Sequence, residues 1–156
     1  MQSAGRALPD LAQTLVLRQF GLIRTDQLPD LAARWLAADM TDSPSIRMLA
    51  GHNRSDPWQL DQLLADAATE TRAATPSDLA SLRAIAVDWV AAAWRDNQDT
   101  RSAVATLARL GEAYPDLNLG WFIGLDDEWI GGWGRLEPDL KAAAERELDH
   151  TGRDQD

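Results

Sequence analysis

Asp126, Asp127 and Glu128 place three carboxylates side by side, and Trp129, Gly131, Gly132, Trp133 and Gly134 follow directly. Carboxylates at this density can ligate hard cations such as Ca²⁺ or Mg²⁺ through oxygen. They can also steer a positively charged protein toward a contact surface, where tryptophan supplies anchor area. Adjacent residues seldom all face one ion, and the spacing is not the alternate-residue pattern of an EF-hand loop, so Asp126 and Asp127 read better as caps of a turn. Each glycine would cost a helix roughly 1 kcal/mol, so residues 125–134 are expected to form a shaped loop. Two roles compete for it. In one, Asp126, Asp127, Glu128, Trp129 and Trp133 form an interaction surface for a basic protein; in the other, both tryptophans close the core and the acids are merely solvated.

Other chemistry is scarce. His52 follows the helix stop Gly51 and reads as a surface residue. Glu147-Leu-Asp-His150 has the Glu-x-x-His spacing of carboxylate-bridged di-iron bundles, but such a site needs a second pair and two further glutamates. His52 has Leu49 three positions upstream, so the second pair is missing. Cysteine is absent, which removes disulfides, thiolate metal sites and thiol nucleophiles together. None of the seven serines lies in a Gly-x-Ser-x-Gly elbow, and no phosphate-binding glycine loop is present. The sequence therefore predicts no catalytic residue, no metal site and no cofactor. The alternative is a helical domain that binds a small molecule, or acts as an enzyme, through carboxylates.

Net charge is −10, with ten acids against seven bases in residues 1–78 and fifteen against eight in residues 79–156. Between Asp116 and Asp139, six acids face Arg135 alone. Such a chain repels nucleic acid and anionic membrane and attracts basic proteins. No apolar run approaches a membrane span, and no apolar stretch follows the first residues as in a signal peptide. The expectation is a cytoplasmic protein with a basic protein partner, monomeric or homodimeric.

These residues have to be positioned by helices, whose punctuation is legible. Asp10 caps a helix bearing Leu11, Leu15 and Val16, and Gly21 ends it. Thr25 or Asp26 opens a stripe of Leu28, Leu31, Ala32, Trp35 and Leu36. Ser43-Pro44 pairs a cap with a proline at the first helical position, and Ser55-Asp56-Pro57 opens the next helix with Ser55 read as a cap. Thr75-Pro76-Ser77-Asp78 resembles a capping box before Leu79, Leu82, Ala86, Trp89 and Val90. Asp99-Thr100 opens a helix through Val104, Leu107 and Leu110 that Gly111 and Tyr114-Pro115 stop. Glu137-Pro138 opens the last, with Leu140, Ala144 and Leu148 inward. The reading is an all-α single domain over residues 1–150, six or seven short helices, with a frayed polar tail at 151–156. Leu31, Trp35, Leu36, Leu49, Leu63, Leu64, Leu82, Ala86, Trp89, Leu107 and Leu110 are the predicted core.

Two segments look familiar. Ala33-Arg-Trp-Leu-Ala-Ala-Asp-Met-Thr-Asp-Ser-Pro-Ser-Ile-Arg-Met-Leu-Ala-Gly51 resembles a pattern in small, uncharacterised actinobacterial proteins, and Gly124–Arg135 resembles an acidic Trp/Gly motif in similar chains. Fourteen arginines against the single Lys141 fit a GC-rich genome. The resemblance implies a helical fold and an actinobacterial source, and transfers no catalytic residue.

Overall fold

The structure, a computed structural model, describes residues 6–150. The expected fraying of 151–156 lies outside the described residues. Among those described there are eight α-helices and no strand. They are α1 (Leu11–Gln19), α2 (Leu28–Ala37), α3 (Pro44–Ala50), α4 (Pro57–Thr71), α5 (Leu79–Asn97), α6 (Thr100–Ala113), α7 (Gly120–Gly131) and α8 (Glu137–His150). Single 3-10 turns precede α2 and α7. No described helix is long and apolar enough to cross a membrane. The protein is all-α, as its 3.6-residue periodicity predicts.

Five of these helices start on an acidic or hydroxyl side chain that accepts a hydrogen bond from an otherwise orphaned first-turn N–H. The caps are Asp10, Ser43, Asp56, Asp78 and Asp99, each worth about 1 kcal/mol over alanine. At α1 the cap is reciprocal, because Asp10 N–H donates back to the Gln13 side chain. The α5 start is later than its sequence signal. Asp78, not Thr75, is the cap, and Pro76 precedes the helix instead of occupying its first position.

The chain forms two compact units, residues 7–76 and residues 77–150 with Arg6. In the first, α2, α3 and α4 bury Trp35, Ile46, Leu49, Leu60, Leu63 and Leu64. The Trp35 indole N–H donates to the Pro9 carbonyl at 2.7 Å. Glu70 on α4 accepts from both the backbone N–H and the hydroxyl of Ser45 on α3. In the second unit, Val104, Leu125, Leu140, Ala143 and Ala144 form a core shared by α6, α7 and α8. Trp94 donates to the Thr100 hydroxyl, which in turn donates to Glu145 on α8.

Eight of the eleven predicted core residues are buried; Leu36, Leu82 and Trp89 are half-buried. On α5 the inward stripe is Ala86, Val87, Val90, Ala91 and Trp94. Trp89 is left at its margin, covered on one face by the Arg6 guanidinium 3.9 Å from the ring centroid. A tryptophan next to a run of alanine and valine satisfies helical spacing in either of two adjacent rotations. Packing chose the one that buries Trp94.

Candidate interaction site

The segment expected to be a loop is helical over most of its length: α7 runs through Gly131. Glycine propensity disfavours this, but propensity is a weak term beside tertiary burial. Phe122 and Leu125 are buried, and Trp129 continues their stripe to pack half-buried against the Val104–Leu140 core. Gly111 makes room for this. It does not end α6, which continues to Ala113. Instead it lies where α7 crosses; a Cβ there would meet Leu119 Cβ at 2.9 Å and Ile123 Cδ1 at 3.2 Å.

Burial of the 122/125/129 stripe fixes where the acids point. Asp126 faces α6 and forms an ion pair with Arg101. The Arg101 guanidinium also lies 5.2 Å from the Trp129 ring centroid, within cation–π range. Glu128 accepts two hydrogen bonds from the Arg135 side chain, both at 3.0 Å. Asp127 faces solvent. Three of the residues singled out in the sequence thus have structural partners, and Arg101 and Arg135, which the sequence did not assign to the site, supply all three contacts.

Beyond α7 the chain turns sharply. Gly132 and Gly134 take left-handed φ values of 63° and 87°, a region L side chains avoid. Trp133 folds back on Gly131 so closely that a Cβ at residue 131 would stand 2.4 Å from its indole ring. The outer face of that indole is open. Ile130, Trp133 and Leu136 are 72%, 63% and 73% exposed, so large apolar groups project from both sides of one turn. Neither tryptophan of the segment is fully buried.

Leu136 is the residue whose placement least serves the fold. Its carbonyl accepts from the Asp139 and Leu140 N–H groups, so it occupies the N-cap position of α8. Leucine there can accept no first-turn N–H, unlike the Asp and Ser caps elsewhere in the chain. Nor is it buried. The signal was present in the sequence, since Glu137-Pro138 marks a helix start and the residue before it is apolar. Ile130 had no comparable signal.

The Arg135 guanidinium holds the Glu128 carboxyl below the ordinary glutamate range. For a carboxylate with a depressed folded value, stability is fully present above the unfolded value, about 4.3, and is lost as pH falls through the folded value. The Glu128–Arg135 clamp should therefore hold through mildly acidic pH and release only below the ordinary glutamate range. Carboxyl-carbon NMR titration should show Glu128 titrating low, and Glu128→Gln should speed amide exchange at residues 132–136. An ordinary Glu128 titration would show that the clamp does not form in solution.

Among the described residues no three His, Asp or Glu side chains converge into a metal-holding group. Glu147 and His150 line an open depression on α8 with Arg146 and Asp149. Fold and site together define an all-α protein displaying an apolar turn rimmed by carboxylates. No family model, curated protein or solved structure matches the chain.

Proposed function

We propose that this chain is a non-catalytic protein–protein interaction module, an inhibitor or accessory protein that binds a basic partner through the α7–α8 turn. The observation that carries the reading is the joint exposure of Ile130, Trp133 and Leu136. Exposed apolar groups gathered in one place, with a polar border, mark contact surfaces. Asp127, Glu137 and Asp139 supply the border. Asp126 and Glu128 have a different role from the one their sequence suggests: paired with Arg101 and Arg135, they shape the surface, and Asp127 remains to steer. Charge of this sign raises the association rate with a cationic partner more than the final affinity. The cysteine-free sequence suits a reducing cytoplasm.

Leu136→Ser separates contact from scaffold. Serine can cap α8 and leucine cannot, so the variant should be about 1 kcal/mol more stable to urea. Partner binding should fall at the same time. In extract from the source cell, the wild-type protein should retain a basic protein that Leu136→Ser and Trp133→Ala release, with unchanged circular dichroism. Retention of the same proteins by all three forms would defeat the reading, as would a loss of stability in Leu136→Ser.

A further inference from the structure

We infer that the segment seated on the α7–α8 turn presents arginine, not lysine, beside an apolar anchor. This rests on the interaction reading above and specifies its partner. The apolar anchor follows from Ile130, Trp133 and Leu136, which would otherwise face water. The charge follows from the border: Asp127, Glu137 and Asp139 make no ion pair among the described residues. A second copy of this chain, itself at −10, would bring like charge to that border.

The choice of arginine follows from how the segment treats cations it already holds. Arg101 is gripped by the Asp126 carboxylate and lies over the Trp129 ring. Arg135 is gripped by both oxygens of Glu128. A planar guanidinium can stack on an indole and bond a carboxylate edge at once, whereas an ammonium acts as a point charge and stays more strongly hydrated. Trp133 offers the one open indole of this turn, and its chain neighbour Gly134 lies against the Glu128 carboxyl group. Exposed indole, carboxylate border and apolar flanks are the complement of an arginine-bearing apolar segment.

The probes are two amphipathic peptides of leucine and alanine, identical except that one carries arginine and the other lysine at every polar position. Titrated into the full chain under ¹⁵N NMR at physiological salt, the arginine peptide should bind roughly threefold to tenfold tighter. It should shift the amides of residues 127–139 and the Trp133 indole. Trp133→Phe should narrow the preference for arginine, since phenylalanine is the weaker cation–π partner, and Leu136→Ser should weaken both peptides. Equal affinity for the two peptides, with both still lost in Leu136→Ser, would overturn arginine selection and leave the contact surface standing. Binding of either peptide untouched by Leu136→Ser and Trp133→Ala would overturn both. Sedimentation as a dimer that Leu136→Ser dissolves would assign the turn to a second copy and overturn the inference.

Discussion

Trp35→Ala should lower stability by about 3–5 kcal/mol, the range for truncating a buried tryptophan. Trp35 is 0% exposed and its indole N–H is committed to the Pro9 carbonyl. Alanine would leave both a cavity where α2 packs on α3 and α4 and a carbonyl without its partner. Because a domain has only about 5–15 kcal/mol in total, residues 7–76 should lose much of their cooperative unfolding transition at room temperature. Trp35→Phe divides the effect: it keeps most of the ring volume and loses the hydrogen bond, so it should cost about 1–3 kcal/mol. Urea unfolding followed by far-ultraviolet circular dichroism measures both. A loss under 1 kcal/mol for the alanine variant would show that the site collapses around the deletion.

Gly111→Val should cost about 2–3 kcal/mol through overpacking, and it bears directly on the site. The new Cβ would press on Leu119 Cβ and the Ile123 side chain. Leu119 Cβ is fixed to the backbone at the head of α7, so the helix itself must shift. Moving α7 displaces Asp126 from Arg101 and Trp129 from the α8 core. The variant should therefore weaken binding of the arginine peptide as well as stability, although residue 111 is buried and remote from the turn in sequence. Valine tolerated without loss of stability would mean that the α6–α7 crossing has slack.

The helix starts were the most legible part of this chain because capping is local chemistry: Asp10, Ser43 and Asp99 could each be read from a few adjacent residues, and at α4 the expected cap, Ser55, lies one position before the observed one, Asp56. Gly111 and Gly131 misled for the opposite reason. A glycine that ends a helix and a glycine that lets another element approach have the same local sequence, and only the partner, here Leu119 and the Trp133 ring, distinguishes them. The acids of α7 were visible as a cluster, but their pairing was not. Arg101 is 25 positions from Asp126, and nothing in either neighbourhood announces the other. Trp133 and Leu136 could be suspected from type and position, whereas the exposure of Ile130 depended on the rotation of α7, which its glycine-interrupted pattern left undetermined.

The two helices that carry the turn differ from most others in how they begin. Leu119 and Leu136 stand where a polar cap would, so α7 and α8 draw their order from packing against α5 and α6 and little from their own first turns. A hairpin of that kind has no independent existence as a peptide. Its display surface is present only in folded molecules, and folding and recognition are then two legs of one thermodynamic cycle. A partner held at a hundred times its dissociation constant would add about 2.7 kcal/mol to the folded state. In a cell, the level of this protein would then follow the level of whatever it binds.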